Sequence, residues 1–288
     1  MSTNNNNIHF VECPRDAMQG WKHLIATEVK IKYLQALLQV GFNTLDFGSF
    51  VSAKAIPQMA DTKEVVEALD LSATQTKLLA IVANTRGAAE ACQYNAIRYL
   101  GFPFSVSPTF QQRNTNSTIE ASLERVKEIQ DLCVKHNKQL VVYLSMAFGN
   151  PYGDAYDAAI VFEWANKMAA LGIHIISLAD TVGLATPEQV QHVTATVIKA
   201  LPNQQIGVHL HSTAQQFNKK LEAALAAGCR RFDGAMKGIG GCPMANDDLV
   251  GNMNTEWMLD YFTQNKFATT INTTALTNAA AMAAQIFI

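Results

Sequence analysis

From residue 8 onward, short apolar runs alternate with longer stretches of helical periodicity. Strands are expected over residues 8–13, 43–48, 77–83, 104–107, 139–145, 173–178, 205–210 and 231–235. The first helical stripe is Val29, Tyr33, Leu37 and Val40, stopped by Gly41. Further helices are expected over 62–71 and 87–100, and one opening at 117 carries the stripe Ile119, Leu123, Val126 and Cys133. Others end near 171, begin at 186 and cover 216–227. Ser117 with Glu120, and Thr186 with Gln189, have capping-box spacing, and Pro187 suits the first helical position. Two more helices, from about 254 and an Ala-rich one from about 274, finish the chain. Eight strand–helix units without a linker predict an α/β fold, a (β/α)8 TIM barrel with an extra C-terminal helix. The rival doubly wound sheet lacks a GxGxxG after its first strand.

Composition narrows the classes. The 288 residues are 49% hydrophobic and 16% charged, enough for one large barrel. Residues 1–7 read as a disordered polar tail and residues 8–288 as one catalytic domain. A net charge of −2 offers no basic field for nucleic acid, and no apolar run approaches membrane-spanning length. The five cysteines are odd in number and lack CxxC pairs, so a reducing compartment, the cytoplasm, is expected.

The chemistry centres on Val208-His209-Leu210-His211. On a strand the two imidazoles share a face and are able to grip one metal ion. Active sites of such barrels lie at the C-terminal strand ends. Those ends bring Cys13-Pro14-Arg15-Asp16, Asp46, Ser145, Ser177, Asp180-Thr181, the two histidines, and the loop 237–243 followed by Gly251-Asn252. Closure sets strand 8 beside strand 1, so Asp16, His209, His211 and Asn252 become neighbours in a mixed O/N site. Imidazoles admit Zn, Fe or Mn, while carboxylate and amide oxygens lean to Mg or Mn. Plainer roles stay open: Asp16 as a helix N-cap, Arg15 as a structural ion-pair partner, Asp46 as a hydrogen-bonding group inside the barrel. Cys13, Cys92, Cys133 and Cys229 read as core cysteines. Cys242 sits in a Gly-rich loop beside Pro243, where a thiol can be exposed on a lid.

Val11-Glu12-Cys13-Pro14-Arg15-Asp16-Ala17-Met18-Gln19 resembles the opening motif of the hydroxymethylglutaryl-CoA lyase family. The likeness continues at Ser49 to Ser52, Ile56 to Asp61, Asn114 to Glu120, Pro151-Tyr152, Ser177 to Gly183, His209 to His211, Gly238 to Ala245, Gly251-Asn252 and Thr255-Glu256. Pro57-Gln58-Met59-Ala60-Asp61, Gly240-Gly241-Cys242-Pro243 and the short chain favour lyase over the related condensing synthases. Asp46 stands where the family usually has Glu, and Ser212 where Asp commonly follows the second histidine. Met146 and Asn150 replace cysteines, one residue is inserted between Cys242 and Asn252, and Gly48 and Ala179 are milder departures.

The resemblance implies an Mg2+ or Mn2+ enzyme cleaving a 3-hydroxy-acyl-CoA to acetyl-CoA and acetoacetate, the chemistry of leucine degradation and ketone bodies. It implies Asp16, His209, His211 and Asn252 as metal ligands and Arg15 at the thioester oxygen. His209, Asp16 or Asp46 would be the base, and Cys242 an acid or proton shuttle. A homo-oligomer is expected. The competing readings are a condensing synthase of the same superfamily and a non-catalytic acyl-CoA-binding barrel.

Overall fold

The computed structural model describes residues 6–241 and 250–288. Its frame is a closed barrel of eight parallel strands in sequence order, and the expected (β/α)8 architecture is present. The strands are β1 (His9–Glu12), β2 (Thr44–Ser49), β3 (Lys77–Ile81), β4 (Ile97–Ser105), β5 (Gln139–Ser145), β6 (Ile175–Ala179), β7 (Gln205–His209) and β8 (Arg231–Gly234). Around them run α1 (Pro14–Gln19), α2 (Thr27–Leu38), α3 (Thr62–Ala68), α4 (Thr85–Ala91), α5 (Pro108–Thr115), α6 (Ile119–Lys135), α7 (Ala158–Ala170), α8 (Pro187–Ala200) and α9 (Phe217–Ala226). α10 (Thr255–Gln264) and α11 (Thr273–Ile286) follow β8.

Alternation sorts the side chains. Phe10 and Phe232 face outward, packing on Phe42 and Phe262 in the shell between strands and helices. Their neighbours point into the barrel, where Leu79, Val141, Tyr143 and Ile175 form a separate inner cluster. β1 pairs with β8 from His9↔Arg231 to Glu12↔Gly234, which closes the cylinder. Glu12 fastens this seam: its carboxylate accepts from the Met236 N–H at 2.8 Å and the Thr255 hydroxyl at 2.6 Å.

Several elements differ from the sequence expectation. The helix expected over 87–100 is only α4, capped by Asn84 accepting from the Gly87 N–H at 2.9 Å. Strand β4 then begins at Ile97, far ahead of the expected 104, because Ile97, Tyr99, Phe102 and Phe104 are strand formers packed on two faces. The cap of α6 is Thr118, not Ser117, and no capping box forms there. The Thr186–Gln189 box does form. Val29 is exposed, and α2 instead buries Lys30, which pairs with Asp61 at 2.8 Å. Asn6 and Asn7, read as tail, are tied to Ala268 by a backbone bond and a bridge. Among the described residues no helix is long and apolar enough to cross a membrane.

Candidate active site

At the C-terminal ends of the strands opens a cavity of about 330 Å3. Arg15, Asp16, Gln19, His209 and His211 line its polar side, with Asn114, Thr115, Ser145 and Thr181. Val51, Ile56, Ile81, Pro103 and Phe110 contribute an apolar wall. Arg15 and Asp16 arrive on α1, a six-residue helix that starts directly after β1 with Pro14 at its first position. Cys13, not Asp16, is its N-terminal flanking residue, so the capping role for Asp16 is excluded.

Arg15 is the hub of a buried charge cluster. Its Nε donates to Asp46 Oδ2 at 3.0 Å, Nη2 donates to Asp46 Oδ2 at 2.5 Å, and Nη1 donates to Asp16 Oδ1 at 2.9 Å. A guanidinium carries five N–H groups, so two remain for a ligand in the cavity. Burial pushes Asp46 up to about 6 against the pull of Arg15. Asp46 is fully buried, does not line the cavity and gives both oxygens to Arg15. Burial also resists ionisation of Asp16, but Arg15, the two imidazoles and Asn252 outweigh it and hold the carboxyl at about 2.

The two histidines come together differently from the strand-face expectation. β7 ends at His209, and His211 lies beyond it in an antiparallel bridge with Asn252. Their Nε2 atoms are 3.3 Å apart. His209 Nδ1 lies 3.2 Å from Asp233 Oδ2, so its Nδ1 proton is held on that side and Nε2 faces His211. Burial disfavours the His209 imidazolium, yet Asp233 and Asp16 raise its pKa overall. Burial and His209 together push His211 down to about 3.

Donor atoms of Asp16, His209 and His211 lie within 4.8 Å of one another, a group able to hold a metal ion. The donor chemistry fits: one carboxylate and two inward ring nitrogens, with a proton between the rings where a divalent cation would bring more charge. Asn252 stands beside them, its Nδ2 donating to Asp16 Oδ2 at 2.7 Å and to the Ile239 carbonyl at 2.9 Å. Offering its oxygen to a cation requires the amide to turn. Gly240, at φ +99°, is what lets these groups meet: a Cβ there would lie 2.6 Å from Asn252 Nδ2 and 2.9 Å from the Asp16 carbonyl oxygen.

Other strand-end residues serve elsewhere. Ser177 is buried inside the barrel, away from the cavity lining. Asp180 is buried against Lys220, whose Nζ donates to Asp180 at 2.7 Å and to the His211 carbonyl at 2.8 Å. Cys242 lies outside the described residues. Two partners escaped sequence reasoning. Gln19 donates to Asp16 Oδ1 at 2.9 Å, and its i+3 spacing on a helix was the available signal. Asp233 was legible from alternation, since outward Phe232 turns it inward at the mouth end of β8.

These features define a TIM barrel with a carboxylate–imidazole group able to hold a cation and an arginine at its mouth. Residues 8–283 match the HMGL-like family model. The chain is 32% identical over 267 residues to hydroxymethylglutaryl-CoA lyase YngG of Bacillus subtilis, covering 93% of this chain and 88% of that one. It is 33% identical to the mitochondrial hydroxymethylglutaryl-CoA lyase of Gallus gallus, covering 84% of this chain and 80% of the relative. An HMG-CoA lyase from Acenitobacter baumannii, solved with coenzyme A and 3-methylmalate, superposes with a TM-score of 0.91 at 30% identity, over 100% of this chain and 93% of that chain. The chain belongs to the HMGL-like family.

Proposed function

We propose that the protein is a carbon–carbon lyase that cleaves 3-hydroxy-3-methylglutaryl-CoA, or a close 3-hydroxy-acyl-CoA, to acetyl-CoA and acetoacetate. The observation that carries this reading is the convergence of Asp16, His209 and His211 on one point of the cavity beside Arg15. The lyase relatives, one of them solved with coenzyme A, support it.

Asp16, His209, His211 and Asn252 would hold a divalent cation, Mg2+ or Mn2+. When bound, the cation would lower the pKa of the tertiary hydroxyl and orient it. Arg15 directs its two remaining N–H groups at the thioester oxygen, where negative charge develops as the C–C bond breaks. Asp46 gives both oxygens to the guanidinium and does not line the cavity, which disfavours it as the base. His209 and Asp16, which face the cavity, remain to receive the hydroxyl proton. Cys242 is assigned return of a proton to the enolate carbon. Near wild-type turnover in Cys242→Ser would remove that step.

Incubation with Mn2+ and 3-hydroxy-3-methylglutaryl-CoA should yield acetoacetate, and EDTA should abolish it. Absence of acetoacetate, with condensation of an acyl-CoA and a keto acid instead, would favour the synthase reading.

A further inference from the structure

Beside the Asp16–His209–His211 group lies a second set of donors that shares His209 with it and adds Cys13 and Asp233, to which the proposed chemistry gives no ligand role. β8 sits between β7 and β1 in the closed barrel. Val11 pairs with Asp233, and the Cys13 N–H donates to the Gly234 carbonyl at 2.8 Å. Cys13 directly follows the end of β1, as His209 ends β7, at the same mouth of the barrel. Cys13 Sγ, a ring nitrogen of His209 and a carboxylate oxygen of Asp233 all lie within 4.8 Å of one another.

Two further observations point to a ligand. Asp233 is 3% exposed, and its Oδ1 has no hydrogen-bond partner among the described residues. A buried carboxylate oxygen is ordinarily satisfied. The Cys13 thiol is 1% exposed, and its one hydrogen-bond contact is a long 3.9 Å approach to the Val11 carbonyl. Asp233 Oδ2 faces His209 Nδ1, while its Oδ1 and the Cys13 thiol make no short hydrogen bond among the described residues.

We propose that Cys13, His209 and Asp233 form a binding site for a soft divalent cation such as Zn2+ or Cd2+. A thiolate, an imidazole and a carboxylate make a three-ligand set of the kind Zn2+ accepts, with a fourth position for water. The thiol selects against Mg2+ and Mn2+. Binding deprotonates the Cys13 thiol, and that proton leaves to solvent.

The site has a consequence for the group beside it, a step that rests on the reading that Asp16, His209 and His211 hold the catalytic cation. A neutral imidazole carries one proton. When Nδ1 becomes a ligand, the remaining proton sits on Nε2, and that nitrogen no longer offers a lone pair to the catalytic cation. The two sites share His209 and exclude each other, so the soft cation is an inhibitor.

The test is a Cd2+ titration of the Cys242→Ser protein, followed by the ultraviolet charge-transfer absorption of cadmium thiolate. One equivalent of Cd2+ per chain should give the band. Cys13→Ala in the same background should remove it and weaken Cd2+ binding more than the roughly 10–100-fold expected for an outer partner. In the otherwise native protein, Cys13→Ala should keep Mn2+-dependent turnover and lose inhibition by Zn2+. Cys13→Ser, of nearly native size, gives the same readouts if the alanine variant fails to fold. A missing band, or one that survives both substitutions, overturns the proposal. A Cys13-dependent band in a protein that never cleaves 3-hydroxy-3-methylglutaryl-CoA overturns the catalytic reading and leaves the soft-cation site standing.

Discussion

His211 and Asn252 are held opposite each other by main-chain bonds, with the Met253 N–H on the Leu210 carbonyl at 3.2 Å and the Ser212 N–H on the Gly251 carbonyl at 3.0 Å. The spacing of these two groups is thus set by backbone and not by side-chain flexibility. Gly240 lies against the Asn252 side chain and the Asp16–Ala17 backbone. Gly240→Ala should strain a left-handed position by about 1–3 kcal/mol and force Asn252 away from Asp16. The expected outcome is weaker Mn2+ binding by isothermal titration calorimetry alongside a lower melting temperature.

Arg15 separates binding from turnover. On the proposed mechanism Arg15→Gln removes the donor aimed at developing charge, and the expected loss in kcat is about 10²–10³, or roughly 3–4 kcal/mol. It also strands Asp46, which is wholly buried. Arg15→Gln with Asp46→Asn should recover thermal stability without recovering kcat. Steady-state kinetics and thermal melts on the two variants check this; a kcat within a few-fold of native excludes Arg15 from the transition state.

Cation affinity should depend on pH through His209. Its pKa is raised in the metal-free protein, so the folded state retains that proton to higher pH than a free imidazole. A cation on Nε2 must displace the proton. Affinity should be full above the raised pKa and fall about tenfold per pH unit below it. Asp233→Asn removes the charge support for the imidazolium and leaves only a weaker neutral acceptor, so the fall should shift to lower pH. The same change should weaken Mn2+ about 10–100-fold at high pH, because the ring loses its orienting carboxylate. Mn2+ titrations across pH measure both effects.

Lys220 is 2% exposed and donates to Asp180, the Gly183 carbonyl and the His211 carbonyl, which uses all three ammonium protons. Lys220→Met leaves a buried carboxylate alone and should cost about 3–5 kcal/mol in urea unfolding. Lys220→Met with Asp180→Leu should return most of that stability. Amide hydrogen exchange at Ser212 should stay faster than native in both variants, because the His211 carbonyl has lost its clamp.

The barrel and the meeting of Asp16, His209 and His211 at its mouth were largely legible in the sequence. Period-two and period-3.6 patterns found eight strands and placed Arg15, Asp16, His209, His211 and Asn252 at one end. Where they misled, tertiary context explains it. Tyr99, Gly101 and Pro103 face the barrel interior while Leu100, Phe102 and Phe104 face the helices, so β4 is apolar on both sides and resembles a helix continuation. Cys13 read as core because its two companions, His209 and Asp233, come from strands far along the chain. The Arg15 hydrogen bonds to both Asp16 and Asp46, and the engagement of the Asn252 nitrogen with Asp16, depend on side-chain orientation that no spacing encodes.

The seam fastened by Glu12 has a consequence for how the molecule is made. Glu12 bonds a hydroxyl 243 positions downstream, and Asp16 meets Asn252 across 236. Contacts of such sequence separation form late, after the intervening loop has lost its entropy. A nascent chain can arrange seven strands and still own no complete cation cradle. On the proposed lyase reading, its chemistry would switch on only when synthesis has delivered Asn252 beyond β8, and a chain terminated before that point would be born inert.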